Sequence, residues 1–226
     1  MRRFLFVILL SFVLFPKAAL GAAKLHVISF GRATTISWCA GSAEARCVGL
    51  KVRALYVDGR AHESTLGASH DITERLFVVR RAFRVNDTLP GDTATTGWVW
   101  QRGGWLLVDR MTGHISSIAL PEFDPYYSVA SWYRDYAAYC GVSDDGKKRF
   151  AIVFQLGRRK PVLKKPLGDA GGGDAPDSEC PAPTWERRPV RVTFVPDENQ
   201  KTTYAVRGHA ADLVSDDDAE EEKGSQ

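Results

Sequence analysis

Beyond residue 23 the chain lacks an apolar run of the roughly 20 residues that a membrane-spanning helix needs. It also lacks a segment with convincing amphipathic helical periodicity. There is no Gly-x-Ser-x-Gly elbow, so no residue stands out as the nucleophile of a hydrolytic triad. No Gly-Lys-Ser/Thr follows the run Gly171-Gly172-Gly173, and that run does not read as a phosphate cradle. The cysteines and histidines match no zinc spacing, so no metal centre or cofactor is expected. Net charge is missing too. With Arg2, Arg3 and Lys17 set aside, basic and acidic residues balance, which argues against nucleic acid as a partner.

What the chain does have begins with an export signal. Arg2-Arg3 supply a positive start, Phe4 to Phe15 an apolar core, and Ala19-Leu20-Gly21 small residues for cleavage after Gly21, with Ala23 as the alternative. No Cys stands at the cleavage point, so no lipid anchor is expected. Residues 1–21 are read as a signal peptide, and the protein as secreted or periplasmic. At the other end, Asp216-Asp217-Asp218-Ala219-Glu220-Glu221-Glu222 dominates residues 209–226, which are expected to form a disordered acidic tail.

Cys39, Cys47, Cys140 and Cys180 form an even set in an exported chain, which reads as two disulfides. Three connectivities are possible. Cys39–Cys47, closing a small polar loop, is preferred, and it leaves Cys140–Cys180. Residues 169–183, rich in Gly and Pro, are expected to form a mobile loop.

The rest reads as strands. Leu50, Val52, Ala54 and Tyr56 alternate before an Asp58-Gly59 turn. Leu76 to Val79 is apolar, and Arg81, Phe83 and Val85 then alternate with Arg80, Ala82 and Arg84. The arginines suggest a solvated basic face. Trp105-Leu106-Leu107-Val108 and Ile115 to Leu120 flank a loop ending in Thr112-Gly113. Tyr136 to Val142 and Phe150 to Leu156 alternate on both sides of Asp144-Asp145-Gly146, a strong hairpin signal because Gly accepts the positive φ of a tight turn. Val190 to Val195 and Thr202 to Val206 form a last hairpin.

The stretches "WLLVDRMTGHI" and "SDDGKKRFAIV", within residues 105–156, resemble the outer hairpin of one β-propeller blade and the Ser-Pro-Asp-Gly hairpin of the next, as in WD40 and TolB-like propellers. Asp144 stands where the Pro is usual. Gly113 and Gly146 are separated by about one blade period. The resemblance implies a propeller-like fold, though short hairpins of this kind also build sandwiches. Fold alone implies no function.

The functional signal is aromatic. Phe123, Tyr126, Tyr127, Trp132, Tyr133, Tyr136 and Tyr139 crowd one segment. Rings with polar tips suit sugar faces, peptides and protein hot spots. They also fill β cores, and sequence leaves both readings standing. Tyr126, Tyr127, Trp132, Tyr133 and Tyr136 are the candidate ligand-binding residues. Asp109, Glu122, Asp124 and Asp135 lie near them, and a suitably spaced carboxylate pair there would hydrolyse a glycoside. His62 and His70, beside Glu63 and Asp71, flank a small-residue stretch read as a loop and offer borderline-metal ligands, but without helical His spacing.

The expectation is a single all-β domain over residues 22–208: antiparallel, propeller-like or a β-sandwich, and stabilised by disulfides. Its expected role is that of an exported, non-catalytic binding protein of bacterial type, with a protein, peptide or envelope polysaccharide as partner. The alternative is a secreted glycan hydrolase.

Overall fold

The computed structural model describes residues 25–39, 47–88, 97–169, 180–197 and 200–214. The expected signal peptide, most of the Gly/Pro-rich loop and the acidic run lie outside the described residues. Every regular element described is a β-strand, and all strand pairings within the sheets are antiparallel.

The first sheet holds β1 (Ile28–Phe30), β2 (Thr34–Cys39), β3 (Cys47–Val57), β4 (Arg60–Asp71), β5 (Leu76–Asn86), β6 (Trp98–Asp109) and β7 (Ile115–Ile118). From β3 to β7 it is an up-and-down meander, with β1 and β2 both paired to β3. The β3–β4 turn carries positive φ at both Asp58 and Gly59, the geometry that matches strand twist in a two-residue hairpin. The second sheet is the meander β8 (Ser131–Tyr133), β9 (Tyr136–Val142), β10 (Lys148–Gln155) and β11 (Leu163–Asp169). The third is β12 (Thr184–Arg187), β13 (Val190–Asp197), β14 (Gln200–Arg207) and β15 (Ala210–Leu213).

The second sheet is the middle layer. Period-2 alternation sends Ala137, Tyr139, Ile152 and Phe154 into a core with Val78 and Trp105 of the first sheet. The opposite parity sends Ala138, Cys140, Ala151 and Val153 into a core with Val192, Phe194, Tyr204 and Val206 of the third. A strand pair with both faces buried reads as apolar at every position, which is why Ala137 to Gly141 and Ala151 to Phe154 are all buried.

Cys140 and Cys180 are disulfide-bonded and buried in that second core. Cys47 is also disulfide-bonded, and backbone register sets it opposite Cys39.

Three expectations change. His62 and His70 do not flank a loop. Both lie in the continuous strand β4, eight residues apart, which is roughly 25 Å along an extended chain. The arginines of β5 are not simply solvated: half-buried Arg80 donates to the carbonyls of Pro125 and Ser128, and Arg81 pairs with Glu63. The fold also continues past residue 208. Gly208, at positive φ, turns the chain so that β15 pairs with β14, and pairing outweighs the low strand propensity of Ala-Ala-Asp.

Candidate functional site

The loop between β7 and β8 carries Tyr126, and its backbone is fixed from several sides. Asp124 Oδ1 accepts hydrogen bonds from the N–H groups of Tyr126 (2.7 Å) and Tyr127 (3.2 Å), a local turn typical of Asp. Buried Ser128 donates through Oγ to the carbonyl of Cys140 (2.6 Å) and accepts from the Asp124 N–H (3.1 Å). Arg80 holds the carbonyl of Pro125 at 2.5 Å. Ser128 also bridges Cys180, so the loop is tied to the disulfide at Cys140.

On this pedestal Tyr126 is the one nominated aromatic that is exposed, at 49%. Its ring lies against Trp38, with centroids 6.0 Å apart and planes 30° from parallel, and its hydroxyl donates to Gln101. The Arg102 guanidinium lies 4.0 Å from the centroid of the Trp38 ring. Further along the sheet, Arg84 of β5 sits 5.3 Å over Trp100 of β6, and Trp98, Val99 and Val48 are exposed. Trp38 and Val48 are cross-strand partners, as are Trp98 and Asn86. This end of the first sheet therefore exposes Tyr126, Trp98 and Arg84, with Trp38 buried against the Tyr126 ring. A guanidinium stacked on a ring, as that of Arg84 is, is partly desolvated and can still direct its N–H donors at an acceptor, a combination frequent at binding hot spots.

The other nominated residues divide between the two faces of the second sheet. Trp132 turns toward the first sheet, edge-on to Trp105 (5.3 Å) and stacked with His70 (6.2 Å, 25°). His70 Nε2 also lies 2.9 Å from the carbonyl of Arg134. Tyr133 and Tyr136 turn toward the third sheet and flank Trp185, at 5.5 and 6.4 Å. The Tyr136 hydroxyl donates to the carbonyl of Gly208 (2.6 Å), and burial, helped by Asp135, raises its pKa. Tyr127 packs against the core between the second and third sheets. The aromatic segment is thus mostly packing, with Tyr126 as its exposed member.

Trp38, Trp98, Trp100 and Trp185 were not singled out by the sequence. The signal available was alternation: Trp98, Trp100 and Arg102 share one parity of β6, and Trp185 sits between polar Thr184 and Glu186.

Each carboxylate of the hydrolase alternative has a structural partner. Asp109 pairs with Arg75 and accepts from the N–H of Met111 (2.8 Å). Glu122 pairs with Lys164. Asp124 forms the turn at Tyr126, and Asp135 accepts from Gln155 Nε2 at 2.9 Å. Among the described residues no histidine bonds a Ser, Thr or Cys side chain, and no three of His, Cys, Asp and Glu gather closely enough to hold a metal.

Comparison with known protein families, with characterised proteins and with solved structures finds no match to this chain.

Proposed function

We propose that this chain is an exported protein that acts by binding a partner protein or peptide, and that exposed Tyr126 and Trp98, with Arg84 beside Trp100, are where the partner docks. The observation that carries this reading is the exposed Tyr126, held on a loop pinned by Asp124, Ser128 and Arg80 and laid against Trp38. A rigid ring loses little entropy on binding, so its buried area goes into affinity. Arginine beside the rings favours a partner with carboxylates. The buried Cys140–Cys180 bond fits an oxidising compartment, and no described helix is long and apolar enough to cross a membrane. The face-to-face stacking of the second and third sheets, both four-stranded meanders, supports a blade-like reading of the β9–β10 hairpin, whereas the hairpin at 105–118 belongs to the seven-stranded first sheet.

The test is photo-crosslinking from a benzophenone amino acid placed at position 126, 98 or 111 in cells that express the protein. Met111 is equally exposed but lies at the distant β6–β7 turn. The expected result is one discrete adduct from 126 and 98 and none from 111, with the adduct lost on Arg84→Glu. The same products from all three positions, or none from 126 and 98, would refute the reading.

A further inference from the structure

The second and third sheets end in four edge strands, and among the described residues one of them, itself short, carries no Lys, Arg, Pro or covering segment. An unpaired edge presents a row of N–H and C=O groups to any passing strand, and chains usually block it with Lys, Arg, Pro, shortness or cover. Edge β11 carries Lys164-Lys165-Pro166, all exposed. Edge β12 runs into Arg187-Arg188-Pro189. Edge β8 is three residues long and is covered by the segment 183–185: Ser131 Oγ donates to the carbonyl of Pro183 (2.5 Å), and the Trp185 indole N–H donates to the carbonyl of Ser131 (3.4 Å). Edge β15 reads Ala210-Ala211-Asp212-Leu213. It has no Lys, Arg or Pro, its pairing with β14 is free of bulges, and Leu213 is 65% exposed.

The direction of its backbone follows from one bond. Val214 N–H donates to the carbonyl of Thr203 at 3.0 Å. In an antiparallel ladder, residues that bond the neighbour alternate with residues that point away. Asp212 and Ala210 therefore share Val214's orientation toward β14, and the N–H and C=O groups of Ala211 and Leu213 face outward.

We infer that β15 is an assembly edge, on which the same strand of a second copy adds in antiparallel fashion about a twofold axis, joining two third sheets into one. The argument for this occupant is charge. Arg207, exposed at the end of β14, precedes the strand; Asp216-Asp217-Asp218 follow it in sequence. Antiparallel self-pairing brings the basic flank of each copy toward the acidic flank of the other, twice. Parallel pairing would align acid with acid. Centring the axis on Asp212 would set two carboxylates face to face, which destabilises a cross-strand pair. Centring it on Ala211 sets two small side chains together, pairs the outward groups of Ala211 reciprocally, and places Asp212 opposite Ala210. This surface lies on the third sheet, away from the Tyr126 patch, and the inference stands whether or not that patch binds a partner.

The experiment is sedimentation velocity on the purified full-length secreted chain at low salt, from about 1 to about 100 µM, a range that spans dissociation constants typical of modest interfaces. A monomer–dimer equilibrium is expected. Leu213→Lys, which installs the missing guard, is expected to weaken it at least about tenfold, and raising salt is expected to weaken it as well. Ala211→Pro, which removes an outward N–H without touching the β14 ladder, is expected to do the same. Thermal unfolding of each variant reports whether the fold survives; Leu213, being exposed, is the safer site. The inference is overturned by a wild-type chain that is monomeric throughout, or by a dimer that Leu213→Lys leaves intact.

Discussion

Tyr126 and Trp38 meet as a ring pair, with centroids 6.0 Å apart and planes 30° from parallel, although Trp38 lies in β2 and Tyr126 in the loop after β7. Their contact draws the far edge of the first sheet toward β6, where Gln101 takes the Tyr126 hydroxyl and Arg102 covers the Trp38 ring. The pair joins β2 to the loop after β7 and leaves one ring outside. Trp38 is 5% exposed and Tyr126 is 49% exposed.

The tryptophans give a direct check on this placement. Trp98 is the exposed one, at 53%, whereas Trp132 is half-buried against Trp105 and His70. Acrylamide quenching of the folded protein should therefore show a red, readily quenched component that disappears in Trp98→Phe and persists in Trp132→Phe. Loss of that component in Trp132→Phe would mean that the Trp132 ring is not held against Trp105 and His70.

Gly141 is a position where a single methyl group should matter. A Cβ added there would overlap Ile152 Cδ1 and come within 3.1 Å of the carbonyl of Glu122. That carbonyl also accepts the N–H of Val142, so the backbone is not free to retreat. Gly141→Ala should destabilise by about 1–3 kcal/mol, the range for overpacking a filled core, without changing secondary structure. Urea denaturation followed by circular dichroism measures it, and an unchanged midpoint would show that the interface between the first and second sheets is loosely packed.

Much of this fold was legible because hairpins announce themselves locally. The turns at Asp58-Gly59, Thr112-Gly113 and Asp144-Asp145-Gly146 were readable from Gly, and alternation fixed which residues of β9 and β10 share a face. Alternation could not say that both faces are buried, since that depends on sheets packed above and below. The aromatic segment was legible as important but not as divided. Trp132 and Tyr133 are neighbours in sequence and lie on opposite faces of the second sheet, Trp132 against the core with the first sheet and Tyr133 beside Trp185, and Tyr126 owes its exposure to a loop pinned by residues from β5 and β9. The grouping of Tyr126 with Trp38, Gln101 and Arg102 draws on strands and a loop with long sequence separations, so no window of sequence contains it.

Asp109 should leave a signature in acid. Its carboxyl is held below the ordinary carboxylate range, first by the hydrogen bond from Arg75 and then, against a smaller desolvation effect, by the backbone N–H groups of Met111 and Thr112 and the Thr112 hydroxyl. Because the folded value is depressed, the charged form stabilises the fold above the unfolded value of about 3.9, and that contribution is lost as pH falls from there toward the folded value. Asp109→Asn should lower the urea midpoint at pH near 7, and its deficit relative to wild type should shrink steadily below a pH of about 4. A deficit that stays constant down to a pH of about 2 would mean that the side chain acts by shape or hydrogen bonding rather than by charge.

The disulfide between Cys140 and Cys180 spans 40 residues and is buried where the second and third sheets meet. A cross-link of that span restricts the unfolded chain by about 4 kcal/mol in the loop-entropy estimate, and replacing both sulfurs with Ala also removes buried contacts. The paired Cys140→Ala, Cys180→Ala variant should therefore unfold at a clearly lower urea concentration. It should lose order first in the loop that carries Tyr126, because Ser128 and Tyr127 bond directly to the backbone of Cys140 and Cys180. Hydrogen exchange tests the second part: the amides of Tyr126 to Ser128 should gain exchange rate more than those of β5, which the disulfide does not touch. Equal loss of protection in both places would mean that the bond stabilises the whole domain without holding the loop in particular.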